Sequence, residues 1–159
     1  MQPITSIETA RGISSVEVSN GHALVVVSGM HEDDSAQRML DALRELKDAD
    51  CSIDFLKISN SGFSFIVPES GADAAIRALR SAGFAADALG GRSIITVRAP
   101  NIRDESGLVA RIAQLVVRSG ATIEQLGDMH SSVQVVVETS RVEEAAGALR
   151  DCIGLVEIL

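Results

Sequence analysis

Two short acidic segments of the chain have the residue types to bind a small charged ligand. Residues 29–36 read Gly-Met-His-Glu-Asp-Asp-Ser-Ala, and residues 100–108 read Pro-Asn-Ile-Arg-Asp-Glu-Ser-Gly-Leu. Each precedes a stretch with the apolar spacing of a helix, where unpaired backbone N–H groups could bind a carboxylate. A glycine permits close approach to the backbone, and acidic side chains suit an ammonium group. The segments therefore have the chemistry to bind a ligand that carries both groups.

The same segments also have a purely structural interpretation. Asp33, Asp34 and Ser35 are good helix N-caps with or without a ligand, and residues 104–107 could equally be a simple cap. Glu32, Asp33 and Asp34 could instead bind a metal ion, but no soft or borderline ligands accompany them. We expect neither a metal nor a cofactor.

The cysteine and histidine residues have no spacing that is typical of catalysis. Cys51 and Cys152 lie far apart, so we expect reduced thiols in a cytoplasmic protein. The three histidines lack the spacing of a triad or a zinc site, and only His31 lies in the first acidic segment, where it could contact a ligand. Arg103 near Asn101 is the one hint of a pair that could bind an acyl phosphate.

Charge and composition exclude several classes of function. The formal net charge is −8 at pH 7, and aromatic residues make up 3% of the chain, with neither Trp nor Tyr. A nucleic-acid-binding protein needs a basic face and often exposed aromatic rings, so we expect no nucleic-acid partner. No apolar run reaches the roughly 18 residues of a membrane helix, and the N-terminus has no signal-peptide pattern. We expect no membrane association.

An internal repeat determines the predicted architecture. When the chain is aligned with itself at an offset of 70 residues, apolar positions stay in phase over much of its length. The pairs include Ile53 with Ile123, Leu56 with Leu126, and Leu79 with Leu149. Two copies of one supersecondary unit follow from this pattern.

Each copy is predicted to contain strand, helix, strand, strand, helix and strand in that order. In the first copy the strands are 22–28, 52–58, 63–67 and a short one that ends at Leu89-Gly90-Gly91, with helices after Ser35 and over 72–81. In the second copy the strands are 94–97, 121–126, 133–137 and 154–159, with helices over 108–119 and 142–151. An extra strand over 12–20 precedes them and is predicted to turn at Asn20-Gly21, a strong hairpin signal. The sequence leaves open which copy this strand joins.

The predicted fold class is α+β. Two ferredoxin-like βαββαβ units would follow one another in tandem, each an antiparallel sheet with both helices on one face. The predicted domains are residues 21–90 and 91–159, after an N-terminal segment over 1–20 that holds the extra strand.

Several segments also match the sequence pattern of one family. They are 104–112, 133–138 and 142–149 in the second copy, and 52–56 and 63–68 in the first. In these segments the chain resembles the regulatory region of aspartokinases, which carries two ACT domains in tandem. It departs from the family at two points: residues 29–36 lack the usual Pro-Gly, and Ser106 stands where Pro is usual.

The resemblance implies a regulatory function and a site. An amino-acid effector, with lysine or threonine as first choices, would bind at an interface between ACT domains and be closed over by a strand. The implied partners are a second copy of the chain, in a homodimer, and a catalytic aspartokinase subunit. The candidate effector-binding residues are Met30, His31, Asp34, Ser35, Ile53 and Asp54 in the first copy and Asn101, Ile102, Asp104, Glu105, Ser106, Gly107, Leu108, Ile123, Glu124 and Gln125 in the second.

Because the resemblance covers the regulatory region and not the kinase domain, we expect no enzymatic activity from this chain. Two alternatives stay open. The chain could be a ligand-free dimerisation or assembly module that pairs with a catalytic partner, since sheet edges are ready templates for pairing. It could also be a small enzyme, because a fold does not fix a function.

Overall fold

The computed structural model describes residues 11–31, 33–100, 102 and 106–155. Among the predicted site residues, Asn101, Asp104 and Glu105 lie outside this range, as do Glu32 and Arg103. Residues 156–159 of the predicted last strand also lie outside it.

The described chain is α+β, as predicted. Its elements are β1 (Ser15–Ser28), α1 (Ser35–Asp48), β2 (Asp54–Ser59), β3 (Gly62–Pro68), α2 (Ala72–Ser81), β4 (Ala85–Arg98), α3 (Leu108–Arg118), β5 (Gln125–Asp128), β6 (Ser132–Glu138) and α4 (Val142–Arg150). The strand order is β2-β3-β1-β4-β6-β5, and the pairs β1–β3, β2–β3 and β5–β6 are antiparallel. In the described part of the chain, none of the helices has the length and apolar character to cross a membrane.

The chain divides into two compact units. The inserted unit is Ser19–Ser93, and the terminal unit combines the described residues up to Val18 with those from Ile94 onward. Strands β1 and β4 have residues in both units.

The inserted unit has the element order βαββαβ and the strand order β2-β3-β1-β4. Val25 of β1 pairs with Phe65 of β3. Alternate residues of both strands point to one face, because side chains of a strand alternate between faces. The buried residues of that face pack with residues of both helices: Ala23, Val25, Val27, Phe63, Phe65, Val67, Ala42, Leu46, Ala75 and Leu79. The two helices therefore cover one side of this sheet.

The terminal unit is built in the same way from a different chain order. Its strands follow the order β1-β4-β6-β5, so the residues before Ser19 supply a strand that a simple tandem repeat would take from the C-terminus. The Ser14 N–H donates to the Arg98 carbonyl at 2.8 Å, and the Arg98 guanidinium lies 3.5 Å from the Glu17 carboxylate. The core joins strand and helix residues: Ile13, Ile95, Val97, Val133, Val135, Val137, Ile112, Val116, Ala145 and Leu149. The extra strand thus runs along β4 in the terminal unit.

The predicted hairpin at Asn20-Gly21 is wrong. Residues 15–28 form one continuous strand, with Gly21 at φ 77° inside it. A left-handed glycine occurs in hairpin turns and also within strands that bend, so the dipeptide alone does not distinguish the two. Gly91, one repeat later, has φ 63° inside β4, and it does not end a strand as predicted. The strands predicted to end at Gly91 and to span 94–97 are therefore one strand.

Two further strand predictions differ from the structure over the residues that it describes. The strand predicted over 121–126 begins only at Gln125. Of the strand predicted over 154–159, the described residues Gly154 and Leu155 are not extended strand, and Ile153 before them makes an isolated parallel bridge to Ile13.

Candidate functional site

The start of α1 lies at the end of the first acidic segment. Asp34 is the N-cap residue, but within the described part of the chain its side chain makes no capping hydrogen bond. The expectation of a side-chain cap at Asp34 is therefore not met. The segment is fixed through its backbone instead, since the Met30 N–H donates to the Ser61 carbonyl at 3.0 Å and the Met30 side chain is buried. His31 is exposed beside this anchored backbone.

The start of α3 has a related geometry. Its N-cap is Gly107, with φ 82°, and it has no side chain that could cap the helix. A Cβ atom placed on Gly107 would meet no atom within 4 Å, so the space over this helix start is open among the described residues. Within the second acidic segment, Ile102 and Leu108 are buried and Ser106 is exposed. Neither helix start has a side-chain cap among the residues that the structure describes, and unpaired N–H groups at a helix start suit an anion.

The two segments are held alike. The Ala99 N–H donates to the Ser131 carbonyl at 2.9 Å, as the Met30 N–H does to Ser61. Ser61 and Ser131 belong to the β2–β3 and β5–β6 turns and are related by the 70-residue repeat. In each unit, the segment before the helix is thus tied to the tip of a hairpin.

Within the inserted unit, the predicted wall residues do not lie beside the helix start. Asp54 pairs with Ile66 at the first residue of β2, whereas Ser59 pairs with Gly62 next to the anchored turn. Ser59 lies five positions after Asp54, which is about 15 Å along the strand at the usual rise per residue. Ile53 is half-buried against the core. A ligand at the start of α1 is therefore not expected to contact Asp54 of its own unit.

In the terminal unit the corresponding residues have different environments. Ile123 packs half-buried against the core, and the Glu124 N–H donates to the Val136 carbonyl at 2.9 Å. Gln125 is only 3% exposed, an unusual burial for an amide side chain on an edge strand. It is the one polar member of the predicted wall that the fold buries.

A groove that the sequence reasoning missed lies in the inserted unit, between the C-terminal half of α1 and the start of β2. Its volume is about 430 Å³, and Lys47, Asp50 and Cys51 contribute to its lining. The available signal was Asp50, which follows α1 where α2 and α3 are followed by Gly83 and Gly120. An acidic residue at a position that favours glycine is unusual.

The cysteines do not have the character of nucleophiles. Both are free thiols; Cys51 is half-buried and Cys152 is buried. Burial, and secondarily the Asp50 carboxylate, raises the pKa of the Cys51 thiol above its usual value. A raised pKa reduces the thiolate fraction at neutral pH, and the thiolate is the reactive form.

Comparisons with known proteins were made at the level of sequence and of structure. No family model matches the sequence, and no curated protein matches it. The regulatory subunit of aspartate kinase from Thermus flavus superposes with a TM-score of 0.80 at 17% identity, over 89% of this chain and 98% of that chain. A chain from the crystal structure of aspartokinase alpha and beta subunits gives 0.80 at 18% identity, over 88% and 97%.

The described chain has the fold of the aspartate kinase regulatory subunits. The same fold also occurs within a larger enzyme. Aspartokinase III from E. coli, in complex with lysine and aspartate, gives a TM-score of 0.68 at 12% identity. The match covers 91% of this chain and 33% of the E. coli enzyme, so the chain spans about a third of that protein. At these identities the likeness establishes the fold alone.

Proposed function

We propose that this chain is an amino-acid-binding regulatory module of the aspartokinase type, without catalysis of its own. The observation that carries the proposal is the pair of helix starts at α1 and α3, which follow acidic segments and have no side-chain cap within the described ranges. The carboxylate of an amino acid would accept hydrogen bonds from the first N–H groups of the helix, and nearby carboxylates would attract its ammonium. The regulatory subunits with this fold support the assignment.

The proposal includes two ACT-type domains in tandem. The βαββαβ order of the inserted unit supports the first of them. The predicted boundaries, 21–90 and 91–159 after a segment over 1–20, stay predictions, as does the cytoplasmic location. The N-terminal strand would complete the sheet of the second domain.

The effector is proposed to be lysine or threonine, bound where one ACT-type domain meets another. The E. coli enzyme with this fold was solved with lysine, which supports a basic amino acid. The proposed binding residues are Gly107 and Ser106 at the start of α3 and Asp34 and Ser35 at the start of α1, with the other predicted residues around them. Asp54 or Glu124 would then face the ligand from a neighbouring domain.

The proposed partners are a second copy of the chain and a catalytic aspartokinase subunit. An aspartokinase with this fold contains alpha and beta subunits, which supports a separate catalytic partner. The edge strand β2 supports self-association, because Leu56 and Ile58 on it are exposed although they are large and apolar. Edge strands commonly pair with another copy.

The same edge strand supports a second candidate function, a ligand-free assembly module. In that case the first acidic segment, which lacks Pro-Gly, would have no effector and β2 would only join subunits. Calorimetric titration with each of the twenty amino acids, beside sedimentation, separates the two candidates. Saturable binding of one or two amino acids supports the regulatory module, whereas a stable dimer that binds none supports the assembly module.

A further inference from the structure

The groove between α1 and β2 has an apolar floor with two opposite charges at its side. The floor is formed by Leu43, Leu46, Ile53 and Leu56. The exposed residues Lys47 and Asp50 also line the groove, together with Cys51 and Ser52. The backbones of these two charged residues are in direct contact, because the Asp50 N–H donates to the Lys47 carbonyl at 3.0 Å. A volume of about 430 Å³ is that of a small-molecule site.

The backbone beside the groove is strained at two places. Among the described residues, only Asp50 (φ 54°) and Phe55 (φ 56°) have a left-handed backbone without being glycine. Asp50 lines the groove, and Phe55 lies in the chain between the lining residues Ile53 and Leu56. Such conformations cost free energy and cluster at ligand sites. Here both occur at the border of one groove.

The repeat shows that the fold does not require an acidic residue at position 50. Gly120 is the corresponding residue of the terminal unit and has φ 88°, so glycine makes the same helix end without strain. Asp50 is unfavourable for a second reason, because its charge lies at the negative end of the α1 dipole. Lys47 corresponds to Val117, so the second copy lacks both charges. The charge pair is therefore specific to this groove.

We propose that the groove binds a free aliphatic α-amino acid. Lys47 would pair with the ligand carboxylate, Asp50 with its ammonium, and the branched side chain would lie on the apolar floor. The site shares Ile53 with the predicted effector wall but none of the helix starts. It rests on the proposed function only for the class of ligand, which the groove's own charges also specify.

Cys51 provides a direct reporter, because it lines the groove and its thiol is half-buried and free. The experiment alkylates the full chain with iodoacetamide at about pH 9, where the thiolate is populated despite the raised pKa of Cys51. A Cys152→Ser background leaves Cys51 as the only thiol. Leucine is expected to slow the alkylation saturably, by about tenfold when bound. Isocaproate, which lacks the ammonium, and isoamylamine, which lacks the carboxylate, are expected to protect far less.

Variants test the two charges. Lys47→Gln and Asp50→Asn should each raise the leucine concentration needed for half-maximal protection by about tenfold. Asparagine is chosen because it tolerates the left-handed backbone at position 50. Arg44→Gln is the matched control, since Arg44 is exposed on α1, pairs with Asp41 and does not line the groove. Asp50→Gly should lose protection while its melting temperature rises, which a folding defect would not do.

Three results would overturn the proposal. They are no protection by leucine, protection that is unchanged in both charge variants, and protection that depends on protein concentration and not on leucine. The last would mean that a second copy covers the groove. If calorimetry finds an amino acid that leaves Cys51 unprotected, the groove proposal fails while the proposed function stands. If leucine protects Cys51 but no titration responds to changes at Gly107, the groove stands and the helix-start site fails.

Discussion

Asp50 and Gly120 occupy the same position of the 70-residue repeat and share a left-handed backbone, with φ 54° and 88°. Each is the second residue after its helix, α1 or α3. Glycine adopts this conformation freely, whereas aspartate has a steric cost there and places a negative charge at the helix C-terminus. One copy thus has the relaxed form of the helix end and the other a strained, charged form.

Replacing Asp50 by glycine is expected to stabilise the protein by about 1 kcal/mol, because it removes the backbone cost and the unfavourable charge together. Urea unfolding followed by circular dichroism measures this change. Asp50→Asn removes only the charge and should increase the free energy of unfolding by about half as much. A glycine variant less stable than the natural chain would show that the Asp50 side chain contributes to folding.

Gly62→Ala is expected to destabilise the inserted unit by about 3 kcal/mol, as overpacking against rigid atoms does. A Cβ atom at Gly62 would clash with the backbone carbonyl of Val27 in β1. Gly71→Ala is the control, since a Cβ atom there would meet nothing within 4 Å, and it should stay within about 0.5 kcal/mol of the natural chain. Equal stability of the two variants would mean that β1 and β3 do not approach as described.

These elements illustrate what sequence alone could predict. The helix over 72–81 was predicted correctly, because its apolar stripe buries Ala75 and Leu79 in the core of its own unit. The hairpin at Asn20-Gly21 was wrong, because a left-handed glycine suits a turn and a bent strand equally. Local patterns also could not reveal that the N-terminal strand completes the terminal unit, since that pairing joins segments more than 80 residues apart.

The candidate site was less accessible to sequence reasoning. Gly107 could be predicted at a helix start, and the structure has it there as the N-cap residue. Lys47 could not be singled out, because charged residues at a helix end are common, and the only sequence signal at Asp50 was an acidic residue at a position that favours glycine. Only the backbone angle at Asp50 and the groove beside it distinguish this pair from ordinary surface charges.

The alkylation rate of Cys51 is expected to keep rising with pH beyond the point where an unfolded cysteine levels off. Burial raises the pKa of this thiol, and the Asp50 carboxylate adds to the rise. Iodoacetamide kinetics on the Cys152→Ser protein measure the profile. Asp50→Asn should move the midpoint to lower pH, because the neighbouring negative charge is gone. A midpoint at or below that of the unfolded chain would contradict the described burial.

Ile58→Lys is expected to weaken self-association about tenfold or more, because it places a charge on the exposed edge strand β2. Val117→Lys is the matched control: Ile58 and Val117 are 59% and 57% exposed, and Val117 lies on α3. Sedimentation velocity over a range of concentrations measures both variants. The role proposed for β2 would be wrong if Ile58→Lys associated as strongly as Val117→Lys.

The central claim is that a helix start of this chain binds an amino acid, and calorimetric titration of the natural chain and of Gly107→Leu tests it most directly. The natural chain is expected to bind one or two of the twenty amino acids saturably without protecting Cys51, and Gly107→Leu is expected to lose that binding, because a side chain would fill the space over the α3 start. Gly83→Leu is the control, because Gly83 has φ 86° where Gly107 has 82°, and a Cβ atom at either position would meet no atom within 4 Å. This control variant should bind amino acids as the natural chain does. The claim would be contradicted if Gly107→Leu bound these amino acids unchanged, or if every amino acid that the natural chain binds also protected Cys51.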